Sequence, residues 1–270
     1  MKFKSIVIIF NIIILFLLSA VTVLPGLFFG SSMAVMFLET AWPLAVVLGI
    51  SFAALNIFFL VNCRLFMLLE REDWPALAHY LETHNRGYRS SRRVRLLINS
   101  CLVMNDLAGI LRLENRIAVA RPALLEANAL IFGAVRILGG DAPGAVRFFQ
   151  IRLEKSQGKR SGWIRWYYAF SLLLEKSFEK AEAEFGRLIS ISTDVLITGL
   201  SAFFLSQVLP QYSFNQAECR KRAGEGRERV KKALKDREKW KKEAAKVETE
   251  VYIAIIKKYM EEAGVWLFDA

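Results

Sequence analysis

The chain has 270 residues, a net charge of +11 and a hydrophobic fraction of 54%. This length allows one or two domains, and the mean hydropathy of +0.31 is high for a soluble protein. Three scattered cysteines, Cys63, Cys101 and Cys219, argue against a disulfide framework and indicate a reducing compartment. Neither the composition nor the cysteine spacing indicates a metal or a cofactor, and we predict neither.

The first apolar run extends from Ser5 to Gly30 without a charged residue. About 25 apolar residues are enough for a helix to cross a hydrocarbon layer of about 30 Å. A cleaved signal peptide is the alternative, because Lys2 and Lys4 form a basic start before the apolar residues. We favour a span, because the run continues past the length of a signal-peptide core and bulky Leu18 precedes the candidate cleavage site at Ala20.

A second uncharged run extends from Thr40 to Cys63, and the segment between the two runs carries only Glu39. Basic residues flank the outer ends of the pair: Lys2, Lys4, Arg64 and Arg71. The positive-inside rule then places both ends of the pair in the cytoplasm. Residues 1–66 are therefore predicted to form a hairpin anchor in a bacterial inner membrane, with spans at about 5–30 and 40–63 joined by a loop.

Residues 67–212 read as pairs of short helices. One helix is predicted from Trp74 to about His84, and a loop follows. The next pair is predicted at 92–103 and 107–119, with a turn at Asn105-Asp106 and with Pro122 closing the unit.

Two later units share a spacing of small and aromatic residues. Gly133 precedes Ala145 by twelve residues and Phe149 follows four later, and the same spacing relates Ala169, Ala181 and Phe185. Small residues let two antiparallel helices approach closely, and the aromatic ring fills the space beside the contact.

This spacing resembles that of tetratricopeptide (TPR) repeats. Equivalent positions at Leu77, Ile110, Ala145 and Ala181 are 33, 35 and 36 residues apart, which brackets the TPR period of about 34. The resemblance covers about half of the chain and implies a TPR-like α-solenoid that binds protein partners. With the two apolar runs, the predicted fold class is all-α, an N-terminal membrane hairpin followed by this solenoid.

A further apolar helix is predicted from Asp194 to Leu209. About sixteen residues are few for a third membrane span, and Pro210 follows directly. We therefore favour a buried helix that caps the repeats.

Residues 213–270 are predicted to form a basic amphipathic extension. Mixed charges on a helix usually form a solvated face, but contact with anionic lipid headgroups is a second interpretation. The residues proposed for it are Arg220, Lys221, Arg222, Lys231 and Lys232. Nucleic acid is a weaker alternative, because acidic residues dilute the positive charge.

A TPR-like array offers a groove lined by the first helix of each unit. Projecting the repeat register predicts a peptide-binding groove formed by Arg92, Arg95, Asn99, Trp163, Trp166, Tyr167 and Phe170. Arginine and asparagine suit a carboxylate, and the aromatic side chains suit an apolar anchor. Alternatively, the aromatic residues form the core between repeats. The chain's own end at 265–268 is a candidate to fill the groove or to cap the last helix.

No catalytic motif is present, and His79 and His84 lie on different faces of one predicted helix. The resulting prediction is a membrane-anchored, non-enzymatic TPR-like scaffold that organises protein partners at the cytoplasmic face of the membrane. The alternative is a structural subunit of a larger membrane complex, in which the spans drive assembly.

Overall fold

A computed structural model describes residues 3–84, 90–154, 159–212, 215–248 and 251–269. Every regular element in these ranges is helical, and none of the described residues lies in a strand. The predicted all-α fold class is therefore confirmed. The chain divides into two compact units, Met1–Arg86 and Gly87–Ala270.

The first unit contains three helices, α1 (Phe3–Thr22), α2 (Leu24–Glu70) and α3 (Trp74–His84). Residues 31–39 are helical within α2, so the predicted loop between two spans is wrong. The physical reason is that this segment contains no glycine or proline and several good helix formers. The breaks lie earlier, between α1 and α2 and at Gly30, whose φ of 79° and ψ of 170° are not helical.

Helix α1 packs against α2. The side-chain nitrogen of Asn56 donates to the side-chain oxygen of Asn11 across the pair at 2.8 Å, and the rings of Phe10 and Phe59 meet edge to face at 6.3 Å. Each asparagine nitrogen also bonds a backbone carbonyl of its own helix. The pair therefore satisfies its polar side chains internally, as helices in a hydrocarbon medium require.

Among the described residues, one helix is long and apolar enough to cross a bilayer, the 29-residue stretch Trp42–Glu70. The apolar stretch Ser5–Ala20 in α1 is shorter. Large apolar side chains are exposed along both helices, including Phe16 at 69%, Ile50 at 64% and Leu60 at 76%. A continuous apolar surface of this extent indicates contact with lipid or with another protein.

The second unit is built from successive short helices. They are α4 (Ser91–Val103), α5 (Leu107–Ala120), α6 (Pro122–Ala127), α7 (Ala129–Leu138), α8 (Ala142–Leu153), α9 (Lys159–Leu174), α10 (Phe178–Ile191), α11 (Val195–Phe203), α12 (Gln216–Leu234), α13 (Arg237–Val247) and α14 (Lys257–Phe268). A π-helical turn (Phe204–Val208) and a 3₁₀ turn (Leu209–Gln211) follow α11, and another 3₁₀ segment (Val251–Ile255) precedes α14.

Side-chain caps fix several helix starts. Asp106 and Asp141 accept hydrogen bonds from the backbone nitrogens of Gly109 and Gly144 at 2.8 and 2.9 Å, and each satisfies one of the free donors of a first turn. The predicted helices at 74–84, 92–103 and 107–119 are confirmed within a residue of their observed ends. The loop predicted after His84 falls mostly on residues outside the described ranges.

Small residues govern the closest helix contacts, as the sequence predicts. A Cβ atom added at Gly133 on α7 would lie 2.0 Å from the ring of Phe149 on α8, so only glycine fits there. In the next pair, Ala169 on α9, Ala181 on α10 and Phe185 are all fully buried. Helices α7 to α12 then pack each on the next in chain order.

Helix α11 lies in the core of the second unit. Leu196, Ile197 and Leu200 are at most 3% exposed, and α11 packs against α10, α12 and α14. The interpretation of the apolar run after Asp194 as a buried helix is thus confirmed. Its last turn widens into the π-helical segment before Pro210.

Candidate functional site

The four aromatic residues predicted to line a peptide groove are buried in the core. Trp163 and Phe170 are 6% and 4% exposed, while Trp166 and Tyr167 are fully buried. The ring of Trp166 stacks on Phe170 at 5.3 Å and meets other rings of the second unit. These four residues therefore form an aromatic core between helices, which is the alternative interpretation of the sequence.

The C-terminal segment of the chain covers this aromatic face. The hydroxyl of Tyr167 donates to the backbone carbonyl of Tyr252, and the ring of Tyr252 lies 6.1 Å from that of Trp163. Seven residues after Tyr252, the ring of Tyr259 lies 5.9 Å from that of Phe170. The face of α9 that the repeat register assigns to a groove is therefore filled by residues of the same chain.

The end of α14 completes this cover. Trp266 contacts Phe203 at the end of α11, with ring centroids 6.1 Å apart, and Leu267 is fully buried. Residues 265–268 thus belong to the part of α14 that packs on α11, as expected for a segment that caps the last helix, while Tyr252 and Tyr259 cover the aromatic face of α9. An external peptide has no access to the aromatic face in this arrangement.

The polar residues of the predicted groove have a different environment. Arg92 and Arg95 on α4 are exposed, and Arg95 Nε donates to the side-chain oxygen of Asn128 at 3.4 Å. The side-chain oxygen of Asn99 is buried without a hydrogen-bond partner among the described residues. The polar half of the predicted site is thus separate from the aromatic half, and it remains open at Arg92 and Arg95.

A buried charge cluster, which we call the Phe148 cluster, lies between α5, α7 and α8. The guanidinium carbons of Arg136 and Arg152 lie 4.4 and 3.4 Å from the centroid of the Phe148 ring. Glu114 Oε2 lies 2.6 Å from Arg136 Nη1, and both side chains are largely buried. Two guanidinium groups over one aromatic ring, with a carboxylate paired to one of them, concentrate charge in a largely buried site.

Arg152 is the least compensated member of this cluster. It is 7% exposed, and its one hydrogen bond among the described residues runs from Nη1 to the Phe148 carbonyl at 3.0 Å. Burial lowers the pKa of the Arg152 guanidinium, while the carboxylates of Glu126 and Glu114 act in the opposite direction. This cluster was not predictable from the sequence, because its members are spread over three helices and follow no recognised motif.

Helix α12 carries the residues predicted to contact anionic lipid. It contains seven basic and three acidic residues. Arg220, Lys221, Arg222 and Lys232 are exposed, and Lys231 is half-buried. Arg222 Nε lies 2.8 Å from Glu218 Oε1, so one of the five cations is already paired. Among the residues that the structure describes, none of the other four cations on this helix has a carboxylate within ion-pair distance.

A family model described as "Uncharacterised Treponema protein" matches residues 109–269. An "Uncharacterized protein" of Treponema pallidum (strain Nichols) is 35% identical over 162 residues, which is 59% of this chain and 51% of the relative. This chain thus spans about half the length of that relative. The family match runs from the first turn of α5 through α14 and includes the Phe148 cluster, the aromatic core and the C-terminal cover. The chain belongs to this family of uncharacterised Treponema proteins.

Proposed function

We propose that this chain is a membrane-anchored, non-enzymatic scaffold with a TPR-like array, which organises protein partners at the cytoplasmic face of a bacterial inner membrane. The observation that carries the proposal is the extensive exposed apolar surface of the described residues of α1 and α2, in a chain whose second unit has a well-buried core. Exposed apolar side chains in such number are costly in water, and a bilayer removes that cost.

The charge distribution supports this orientation. Glu39 is the only charged residue between Lys4 and Arg64, and further basic residues follow Arg64. Cytoplasmic flanks of membrane helices carry the excess of lysine and arginine. Both termini are then cytoplasmic, and Glu39 is near the opposite side of the membrane.

The packing of the second unit supports the TPR-like part of the proposal. Gly133 against Phe149, and Ala169 with Ala181 and Phe185, occupy the close-contact positions of two successive helical pairs. Repeat arrays of this kind present extended surfaces to protein partners. Because the C-terminal segment covers the aromatic face of α9, we assign partner contact to the open polar surface of α4.

Arg92 and Arg95 are the exposed cations on that surface. Guanidinium groups bind carboxylates with paired hydrogen bonds, so an acidic segment of a partner protein is the occupant that fits. A photo-crosslinking residue at position 92 of the full chain is expected to capture the partner in native membranes. The double substitution Arg92→Glu and Arg95→Glu is expected to abolish capture from a crosslinker at the neighbouring, half-buried position 91 or 96.

The alternative is a structural subunit that assembles through its apolar helices. Replacing α1 and α2 by an unrelated two-helix anchor separates the two proposals. A scaffold keeps its crosslinked partner after this replacement, because recognition resides in the second unit. A structural subunit would lose its crosslinked partner when it carries the foreign anchor. It would retain the partner in the Arg92/Arg95 variant, and this pair of results would favour assembly through the spans.

A further inference from the structure

The outer side of α12 and the start of α13 carry a group of basic side chains, which we call the basic face. It consists of Arg220, Lys221, Lys231, Lys232, Lys235, Lys239 and Lys242, all exposed except the half-buried Lys231. In the described part of the chain, no carboxylate oxygen lies within 4.0 Å of any of their terminal nitrogens. Helix α13 adds to the positive charge, with five basic and two acidic residues.

The helical geometry of α12 separates this face from the core. Cys219, Ala223, Gly226, Val230 and Leu234 are buried and recur every three or four residues. At about 100° per residue, Lys221 and Lys232 lie opposite that buried stripe. Glu225 and Glu228 share the outer side, so the face is positive without being purely basic.

Other cations of the same region already have structural roles. Arg229 Nη2 donates to the carbonyl of Ser192 at 2.9 Å and to the hydroxyl of Thr198 at 3.0 Å. Arg237 pairs with Asp269 at 2.5 Å. The cations of the basic face make no such contacts among the described residues, so they have no evident role in stabilising the fold of the second unit.

We propose that the basic face docks on the anionic phospholipid headgroups of the membrane that holds the chain. This inference rests on the proposed anchorage, because an anchor through α2 keeps the second unit within reach of the lipid surface. Lysine and arginine side chains near an anionic leaflet each add a favourable electrostatic contribution. Docking fixes the orientation of the second unit and hence the surface that it presents to a partner.

Lipid fits the face better than nucleic acid does. Proteins that bind single strands interleave cations with exposed aromatic rings on which bases stack. The one aromatic side chain of α12 and α13 is Trp240, which is 2% exposed and donates its indole hydrogen to the Met260 carbonyl at 3.0 Å. The face therefore offers charge without a stacking platform.

The test uses the full chain in lipid nanodiscs, with a fluorescent label on Gly224→Cys and the native cysteines replaced by alanine. Gly224 is exposed on α12, and a Cβ atom added there meets nothing within 4 Å. A spin-labelled lipid headgroup quenches the label when the face is docked. We expect several-fold stronger quenching with about 30% anionic lipid than with neutral lipid, and a loss of this difference at about 0.5 M salt.

The charge reversals Lys221→Glu, Lys232→Glu and Lys239→Glu together are expected to reduce quenching to the neutral-lipid level. The matched control reverses three exposed cations on α8 and α10, Arg147, Lys180 and Arg187, and is expected to retain quenching. Equal quenching in neutral and anionic discs, or equal loss in both triple variants, would overturn the inference. A change in the label's fluorescence on adding a nucleic acid, with no change on adding anionic lipid, would also overturn the inference and would favour nucleic acid as the ligand of the basic face.

The same preparation distinguishes this inference from the anchorage on which it rests. A chain that does not enter the nanodiscs contradicts the proposed anchorage. A chain that enters them but shows quenching independent of anionic lipid contradicts only the docking of the basic face.

Discussion

Tyr167 on α9 donates its phenolic hydrogen to the backbone carbonyl of Tyr252, 85 residues later in the chain. This bond joins the middle of the helical array to the segment that returns over it. Ile253 and Ile256 of that segment are at most 1% exposed. The C-terminal cover is consequently part of the hydrophobic core of the second unit and not a loose tail.

Replacing Tyr167 by phenylalanine removes this hydrogen bond from a fully buried side chain. We expect the free energy of unfolding to fall by about 1 kcal/mol, the usual net contribution of one hydrogen bond. Urea unfolding of the full chain in detergent, followed by tryptophan fluorescence, measures the change. The half-buried neighbour Tyr168 is the control, and a similar loss in Tyr168→Phe would contradict the assignment.

The stability of the second unit should also fall at high pH. Burial raises the pKa of the Tyr167 phenol well above its ordinary value of 10.0, with a smaller contribution from Tyr252. Below about pH 10 the phenol is protonated in both states; above it the unfolded chain releases the proton first, so the free energy of unfolding decreases. The slope for this group is about 1.4 kcal/mol per pH unit until the folded pKa is reached. A Tyr167→Phe variant with an undiminished slope above pH 10 would contradict this origin.

Trp240 packs against two glycines on neighbouring helices. A Cβ atom at Gly199 on α11 would lie 2.6 Å from its ring, and one at Gly264 on α14 would lie 2.8 Å from it. We expect Gly199→Ala and Gly264→Ala each to lower the free energy of unfolding by about 1–3 kcal/mol through overpacking. The matched control is Gly224→Ala on the open side of α12, which should stabilise the helix by about 0.5–1 kcal/mol. Equal effects at all three positions would show that helix propensity, and not contact with Trp240, decides the outcome.

The Phe148 cluster predicts a large penalty for removing its carboxylate. The substitution Glu114→Gln removes the carboxylate that pairs with the largely buried Arg136 and leaves Glu126 as the acidic neighbour of Arg152. We expect a loss of about 3 kcal/mol. The control is the exposed pair of Arg112 with Asp106, separated by 3.5 Å. Replacing Arg112 by glutamine should cost less than about 1 kcal/mol. Urea unfolding compares the two, and a cost for Glu114→Gln as small as that for Arg112→Gln would show that the cluster is well solvated.

Local features of the sequence were enough to predict the boundaries of α3, α4 and α5 and the closest contact between α7 and α8. Asp106 caps a helix through its own side chain, and Gly133 leaves room for Phe149 four residues beyond the next small position. Helix capping acts over a few residues, and the fit of an aromatic ring beside a small residue acts between adjacent helices. Both therefore appear as short-range patterns in the sequence.

Contacts between distant segments were not predictable in the same way. The aromatic face of α9 has the same sequence pattern whether it meets a peptide or Tyr252, so the pattern fits a groove and a core equally. The pairing of Glu114 with Arg136 likewise has no periodic signal. The loop expected at 31–39 is wrong for another reason, because the charge of Glu39 interrupts the apolar run without interrupting the helix-forming residues around it.

The central claim is that α1 and α2 hold the chain in a membrane with the second unit in the cytoplasm. Single cysteines at Glu39 and at the exposed Gln150, in a chain whose native cysteines are alanine, test it with a membrane-impermeant thiol reagent on cells stripped of their outer layers. The account predicts labelling of Glu39→Cys with the inner membrane sealed, and labelling of Gln150→Cys only after it is opened. Labelling of Gln150→Cys in sealed cells, or recovery of either variant in the soluble fraction, would contradict it.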